Sequence, residues 1–267
     1  KSLRRAVLLS GPRRVGKTTI LKQIAGDLVK DNTDPKSILY ISLDHPLLKL
    51  LSLPKILRLY HDNIYPEGKP AFLLLDEVQY SDDWELQLKQ LVDHKPEYRI
   101  LATGSASVVH HEKLAESGVG RWIKVQIPTL SFYEFVHIRN DDPPKISPDL
   151  RPTDLFSMGP AELAGIGARF RPLMPLFNRY LLVGGFPETA RQEDIGLCQR
   201  LLREDVVERV LKRDMTMLFG IRNVGELEKL FIYLCLHTGG ILSVQSCAAA
   251  LGTTANTVSS HLESLEQ

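Results

Sequence analysis

Residues 11–18 have the sequence GPRRVGKT, which is a complete phosphate-binding loop of the G-x-x-x-x-G-K-[ST] type. The apolar run at 5–10 precedes the loop and predicts a buried parallel strand, and apolar residues at helical spacing follow it from Ile20 to Leu28. In this setting of strand, loop and helix, the loop amides and the helix N-terminus form a hole for anions. We therefore expect a nucleoside triphosphate to bind here, and the alternative is a chance glycine turn.

The whole loop is expected to wrap the polyphosphate. Its residues are Gly11, Pro12, Arg13, Arg14, Val15, Gly16, Lys17, Thr18 and Thr19. Lys17 would reach the β- and γ-phosphates, and the Thr18 hydroxyl would bind Mg²⁺. The side chains of Arg13 and Arg14 either touch phosphate or are solvated, and the sequence leaves both interpretations open.

A second apolar run at 72–75 leads directly into Asp76 and Glu77. Ligands of parallel sheets lie at the carboxyl ends of the strands, so this strand is expected to bring Asp76 beside the phosphate loop as a Mg²⁺ ligand. Glu77 is then placed to act as general base on the attacking water. This glutamate favours hydrolysis over phosphoryl transfer to a substrate. The alternative is an acidic turn in solvent.

A third apolar run at 98–103 is followed by Gly104 and Ser105. Polar residues at the end of this strand would lie beside the γ-phosphate and could report its presence. Thr103 and Ser105 are the candidates, and Ser105 is assigned a catalytic role; a plain turn is the alternative. Further strands are predicted at 37–43 and 122–127, with a packed helix beginning at Trp84.

The order of these segments resembles the AAA-type P-loop ATPases with an additional catalytic glutamate. More narrowly, the chain is similar to a prokaryotic family of ATP-binding proteins that have an AAA domain followed by a C-terminal, winged-helix-containing domain of unknown function. The phrases that carry the resemblance are GPRRVGKTT at 11–19, LLLDEVQ at 73–79, WELQLKQLVD at 84–93, TGSAS at 103–107, LSFYEF at 130–135 and GGFPE at 184–188.

The resemblance implies ATP and Mg²⁺ as cofactors, with Lys17, Thr18, Asp76 and Glu77 in the roles given above. The chain departs from better-known AAA proteins in having Ser or Thr, rather than Asn, at the sensor position. A further C-terminal segment is also implied, nuclease-like in some relatives. The chain starts at a lysine and stops inside a helical pattern, so we expect it to be a fragment of a longer protein.

Arg121 is the candidate arginine finger. It precedes the last predicted strand, where AAA-type proteins commonly present an arginine to a neighbouring subunit. Such a residue stabilises charge on the transferring phosphoryl group. The alternative is a structural arginine packed on Trp122.

Composition is that of an ordinary globular protein. Of the 267 residues, 43% are hydrophobic and 24% charged, and the net charge of +1 predicts no strong attraction to nucleic acid or membrane. No apolar run approaches the roughly 20 residues that span a bilayer, and no secretory leader is recognisable. The three cysteines, Cys198, Cys235 and Cys247, lack metal-type spacing and predict reduced thiols in a cytoplasmic protein.

Three ranges are predicted along the chain, within an α/β P-loop NTPase fold of AAA type whose parallel sheet has flanking helices. The ATPase core is expected at 1–137, a Pro-rich insertion and helical linker or lid region at 138–223, and a truncated helix-turn-helix or partial winged helix at 224–267. Seven of the sixteen prolines fall within 139–175, which predicts a long irregular insertion or mobile loop, with room for one short helix at 161–168. The charged residues that follow, up to Asp214, indicate a solvated helix face.

The helix-turn-helix is expected to comprise helices at 226–237, 244–251 and 254–266. Three unspecialised helices are the alternative. Because residues 253–267 contain no Lys or Arg and include Glu263 and Glu266, we favour a protein partner or intramolecular docking over DNA.

The leading function is a slow, Mg²⁺-dependent ATPase whose cycle moves the attached helical module, with self-association on ATP binding. The alternative functions are a nucleotide-gated DNA-binding regulator and an interaction module that binds nucleotide without hydrolysing it.

Overall fold

The computed structural model describes residues 5–105, 120–141, 150–221 and 223–266. The chain forms two compact units, one made of residues 1–127 with 206–267 and the other of residues 128–205. Each unit has its own apolar clusters.

A parallel five-stranded sheet forms the centre of the first unit, with strand order β2-β3-β4-β1-β5. The strands are β1 (Ala6–Gly11), β2 (Ile38–Ser42), β3 (Ala71–Asp76), β4 (Tyr98–Ser105) and β5 (Trp122–Gln126). The strands β1 and β3 are largely apolar and buried, as expected for strands of a parallel sheet that is covered on its faces, whereas β5 is exposed after Trp122. The predicted strands are confirmed to within two residues at each end.

Helices flank this sheet and complete its core. They are α1 (Lys17–Lys30), α2 (Leu53–Asn63) and α3 (Trp84–His94). Leu53, Ile56 and Leu57 of α2 and Leu88 of α3 pack in one cluster with Leu73 and other strand residues. Short 3₁₀ turns at Pro35–Ser37, Leu48–Leu50 and Val78–Tyr80 join the elements. The α2 helix was not among the predicted elements.

The C-terminal part of the first unit is helical. Its elements are a π-helical stretch (Val210–Asp214), α9 (Met215–Phe219), α10 (Val224–Leu236), α11 (Val244–Leu251) and α12 (Ala255–Glu266). Leu230, Cys247 and Val258 form a buried cluster that joins the last three helices, and Leu265 packs against it. The three predicted helices of the helix-turn-helix are present.

The second unit consists of short helices. They are α4 (Phe132–Ile138), α5 (Pro160–Phe170), α6 (Met174–Val183), α7 (Pro187–Arg191) and α8 (Ile195–Leu201), with 3₁₀ turns at Pro152–Ser157 and Arg171–Leu173 and a π-helical stretch at Leu202–Val207. Phe135, Val183, Ala190 and Cys198 form its buried cluster.

The described part of the predicted Pro-rich insertion is mostly helical. The short helix expected within it at 161–168 is present as α5, and the irregular interpretation was wrong for residues 152–157 and 171–175. Several of these prolines stand at N1 or N2 of a helix, where the missing amide hydrogen costs nothing. The two compact units also divide after residues 127 and 205, whereas the predicted boundaries lie at 137 and 223. One reason is that α4 packs with α7 in the second unit.

Among the helices that the structure describes, none is both long and apolar enough to cross a membrane. The three cysteines are free thiols, with Cys198 and Cys247 buried.

Gly185 tests the packing of the second unit. A Cβ atom there would lie 2.3 Å from the carbonyl oxygen of Leu130, whose amide donates to the Gly185 carbonyl at 2.6 Å. Gly185→Ala should therefore lower the free energy of unfolding by about 1–3 kcal/mol, as overpacking does. Chemical denaturation followed by circular dichroism measures this.

Gly165→Ala is the matched control, because Gly165 lies inside α5 with open space around the position of the added Cβ. It should raise the free energy of unfolding by about 0.5–1 kcal/mol. Equal effects of the two substitutions would contradict the packing described for Gly185.

Candidate functional site

The carboxyl ends of β1, β4 and β3 meet at one edge of the sheet. β4 lies between the other two, with Leu9 of β1 opposite Thr103 and Leu75 of β3 opposite Ala102. The phosphate-binding loop follows β1, and Asp76 and Glu77 lie at the end of β3. The parallel register therefore brings together three segments that are far apart in sequence.

Two glycines give the loop its path. Gly11 has a φ of 155°, and a Cβ atom there would lie 2.1 Å from the carbonyl oxygen of Ile127. Gly16 is left-handed, with a φ of 96°, at the start of α1. Arg14, inside the loop, is also left-handed at 65°. These backbone conformations are costly for most residues, so the loop sequence is fitted to this turn.

The N-terminus of α1 keeps its donors for a ligand. In the described structure Gly16 has no side-chain cap, and the first turn of the helix holds no acidic residue. The first amides of a helix have no partner within it, and they carry the positive end of the helix dipole. This terminus can therefore bind an anion.

Lys17 is a buried cation at the same place. Its side-chain Nζ atom donates to the carbonyl oxygens of Gly11 at 2.9 Å and Pro12 at 2.7 Å. Burial lowers the pKa of Lys17, while the charges of Glu77 and Asp76 oppose that shift. A bound polyanion would stabilise the protonated form of this amine further.

Asp76 is buried and held through both carboxylate oxygens. Its Oδ1 accepts a hydrogen bond from the Thr103 hydroxyl at 2.5 Å, and its Oδ2 accepts one from the Tyr40 hydroxyl at 3.2 Å. Burial, followed by the charge of Asp76, raises the pKa of Tyr40 to about 12, so the phenol remains a donor. A carboxylate has about four lone-pair sites, which leaves acceptor capacity for a metal shell.

Glu77 has a strained backbone and a perturbed carboxyl group. Its φ of 56° is unusual for a residue other than glycine, and its amide donates to the Thr103 hydroxyl at 3.0 Å. The Gln79 side-chain amide donates to the Glu77 carboxylate. Burial raises the pKa of Glu77 above its ordinary value, against the effects of Gln79 and Lys17. A raised pKa suits a proton acceptor near neutral pH.

Thr103, one of the two sensor candidates, lies at the centre of this group. Its fully buried hydroxyl donates to Asp76 and accepts from the Glu77 amide, so it joins both acidic residues. Ser105 is the last residue of β4, opposite Gly11 of β1, and its side chain lies outside the described part of the structure.

Arg121 lies at the amino ends of the strands, opposite the carboxyl ends that carry the phosphate loop. Its carbonyl accepts from the amide of Ala6 at the start of β1, and its Nε atom is paired with Asp93 at 2.9 Å. Arg121 is therefore far from the phosphate loop of its own chain. Its action on a neighbouring copy stays a prediction.

Arg13 is not solvated, and the solvated-face interpretation was wrong for Asp214. The Arg13 side chain pairs with both carboxylate oxygens of Asp214, and the Asp214 side chain is only 8% exposed. The signal for burial was present in the sequence, because Leu211 and Met215 lie three residues before and one after Asp214 on an apolar face. Tyr40, Gln79 and Asp214 were not singled out from sequence.

The residues present fit a nucleoside triphosphate with Mg²⁺. The uncapped helix N-terminus and the buried ammonium of Lys17 suit phosphate oxygens, and the Thr18 hydroxyl and Asp76 are hard oxygen donors, which Mg²⁺ prefers. Within the described ranges, no cluster of three or more His, Cys, Asp or Glu residues could hold a metal ion. A cation here would complete its shell with water and phosphate oxygens, as Mg²⁺ usually does.

Comparison with protein families gives two matches along the chain. A family model described as "AAA domain" matches residues 3–136, which is half of the chain. A second model, described as "Domain of unknown function (DUF8612)", matches residues 174–267.

Curated relatives include two uncharacterized proteins of Methanocaldococcus jannaschii. One is 27% identical over 84% of this chain and 44% of its own length, and the other 26% identical over 98% and 54%. The chain thus spans about half the length of these relatives. Among solved structures, the chain is similar to AMPPCP-bound DnaA from Aquifex aeolicus, with a TM-score of 0.43, 16% identity, and coverage of 99% of this chain and 82% of that one.

Thr103 provides a direct test of the site. Thr103→Val keeps the shape of the side chain but removes the hydroxyl that joins Asp76 and the Glu77 amide. If this site hydrolyses ATP, turnover at saturating Mg²⁺ should fall about 10–100-fold in this variant, as is usual when a group that orients a ligand is lost. A colorimetric phosphate-release assay measures it.

Thr103→Ser retains the hydroxyl and should keep most of the turnover. If the Val and Ser variants hydrolyse ATP equally well, the hydroxyl does not hold the acidic pair in a working position.

Proposed function

We propose that this chain, which belongs to the AAA domain family, binds ATP with Mg²⁺ and hydrolyses it slowly. The observation that carries the proposal is the buried Lys17 ammonium at an uncapped helix N-terminus, on the sheet edge where Thr103 holds Asp76 and Glu77. Such a site combines phosphate binding, metal binding and a proton acceptor.

Each residue would have one task in this reaction. The loop amides and Lys17 bind and orient the phosphates, and the Thr18 hydroxyl and Asp76 hold the metal shell. Mg²⁺, when bound, supplies charge neutralisation on the phosphate oxygens. Glu77 would accept a proton from the attacking water, and its raised pKa supports that role.

We further propose that ATP turnover moves the attached helical segments and that ATP favours self-association. Arg121 would then serve a neighbouring copy as the arginine finger. Its place at the sheet edge away from its own loop suits action in a second chain, although in this chain it is paired with Asp93. The cytoplasm of a prokaryotic cell is the proposed location.

A protein partner is proposed for the helix-turn-helix at 224–266, rather than DNA. Apolar side chains of Ile232, Leu236 and Ile241 are 58%, 78% and 103% exposed. Thr254, which could touch a phosphate, is engaged in capping α12 through the Thr257 amide. Exposed apolar groups suit protein contact more than a phosphate backbone.

Two substitutions separate ATP binding from turnover. Glu77→Gln should still bind ATP, because Lys17, Thr18 and Asp76 are retained, while turnover falls about 10²–10⁴-fold with loss of the general base. Lys17→Ala should abolish ATP binding, because it removes the buried cation of the loop. Titration of a fluorescent ATP analogue and a phosphate-release assay measure the two quantities.

Micromolar ATP affinity in Lys17→Ala would overturn the assignment of the phosphate loop. Unchanged turnover in Glu77→Gln would assign the proton acceptor to another residue. Asp44 is the first to test, because it lies two residues after the carboxyl end of β2, where its carboxylate accepts from the Ser42 hydroxyl.

A DNA titration distinguishes the two kinds of partner. In fluorescence anisotropy at about 150 mM salt, duplex DNA should bind no more tightly than about 1 µM, the upper end of ordinary non-specific affinity. Tighter binding that is lost on charge-neutral substitutions such as Asn256→Ser would favour the DNA-binding regulator instead.

A further inference from the structure

Arg13 of the phosphate loop is fixed by a residue 201 positions away in sequence. Its Nε atom donates to Asp214 Oδ2 at 2.8 Å, and its Nη2 atom donates to Asp214 Oδ1 at 2.6 Å. Two parallel hydrogen bonds of this kind define the orientation of the guanidinium plane as well as its position. The two side chains are only 15% and 8% exposed, so water screens the pair weakly.

Tyr80 connects the same pair to the acidic strand end. Its hydroxyl accepts from Arg13 Nη2 at 3.3 Å, and it closes the 3₁₀ turn that begins directly after Glu77. The Arg213 guanidinium lies 4.9 Å from the centre of the Tyr80 ring, and the Lys49 ammonium lies 4.4 Å from it. Neighbouring residues 213 and 214 therefore contact both the phosphate loop and the segment that follows Glu77.

The charge of Arg13 acts on the groups that would handle the nucleotide. Burial is the largest cause of the lowered pKa of Lys17, and Arg13 adds to it while Asp214 opposes it. Burial raises the pKa of Glu77, and Arg13 counteracts that rise. The pair with Asp214 thus sets where a cation stands beside the expected phosphate position.

Arg13 also retains donors for a ligand. A guanidinium group has five N–H donors, of which Asp214 takes two and Tyr80 one. Within the described ranges the two N–H groups of Nη1 have no acceptor, and a phosphate oxygen is a good acceptor for such groups.

We propose that Asp214 is a positioning residue that holds the Arg13 side chain in place within the phosphate loop, so that nucleotide occupancy is transmitted to the segment 210–219. This inference rests on the proposed function, because it requires that the loop bind a nucleotide. The bound phosphates add negative charge beside Arg13 and compete with Asp214 for its donors. Any change in the Arg13–Asp214 pair then acts on the helical segment that carries Asp214.

The competing explanation is that the Arg13–Asp214 ion pair is purely structural. The two explanations differ in whether the pair affects nucleotide affinity as well as stability. A purely structural pair links Arg13 and Asp214 in protein stability alone. A positioning pair also links them in nucleotide affinity. A double-mutant cycle on the dissociation constant of a fluorescent ATP analogue separates these cases.

The cycle uses the full chain with Arg13→Gln, Asp214→Asn and the double variant. We expect the effects on the dissociation constant to be non-additive by about 5-fold or more, the lower end of ordinary coupling between sites. Asp214→Glu keeps the charge and should recover part of the wild-type affinity. Glu208→Gln is the matched control, because it removes a carboxylate from the same helical run, where it pairs with Lys212 at 2.9 Å; it should leave the affinity unchanged.

Hydrogen exchange measured by mass spectrometry gives a second readout. In the wild-type chain, the ATP analogue with Mg²⁺ should change exchange in peptides from 206–219, and this change should be lost in Asp214→Asn. If Asp214→Asn fails to fold, Tyr80→Phe removes only the hydroxyl that Arg13 contacts and should reduce the same change.

The outcomes distinguish a failure of the proposed ATP binding from a failure of the role given to Asp214. If the wild-type chain binds no ATP analogue, the proposed function fails and this inference with it. If the analogue binds but the cycle is additive in affinity, or exchange at 206–219 is unaffected by nucleotide, Asp214 is only structural and the inference is overturned.

Discussion

The hydroxyl of Thr103 is the interaction on which the arrangement of the site depends. It donates to Asp76 and accepts from the amide of Glu77, and it is completely buried. This geometry exists because β4 lies between β1 and β3, so a residue of β4 stands between the phosphate loop and the acidic strand end. A buried hydroxyl with both its donor and an acceptor site satisfied is rigid, since moving it would leave polar groups unpaired. The strained backbone of Glu77 is held in the same way.

Lys17 and the two acidic residues at the carboxyl ends of the strands carry opposite charges that act on each other. Lys17 is buried, and its desolvation lowers its pKa, an effect that the charges of Glu77 and Asp76 oppose only in part. Glu77 is partly buried, and the charge of Lys17 opposes the rise of its pKa. Neither group is paired directly with the other, since Lys17 donates to backbone carbonyls and Glu77 accepts from Gln79. In the described structure these two opposite charges therefore do not form an ion pair with each other.

The Arg13–Asp214 pair connects the phosphate loop to the C-terminal helical part of the first unit. Asp214 and Arg213 are neighbours, yet they contact two different parts of the site, the phosphate loop and Tyr80. The pair is bidentate and poorly exposed, so breaking it leaves charges with little water around them, which is costly. A rearrangement at the loop is therefore not independent of the segment 210–219, which packs in turn against α10 through Leu211, Met215 and Leu227.

The sequence by itself determined the strands, the phosphate loop, the acidic strand end and the three C-terminal helices, because each has a local signal. Apolar runs, glycines at fixed spacing and the period of apolar residues need no knowledge of distant contacts. Tertiary structure alone decided that Thr103 joins Asp76 to Glu77, since strand order is set by packing and not by a motif. It also decided that residues 152–157 and 171–175 are helical. The apolar neighbours of Asp214 indicate its burial, but only the folded structure pairs it with Arg13. The sequence around a charged residue in a charged helix does not identify its ion-pair partner. That partner is 201 positions away and becomes adjacent only when the chain folds.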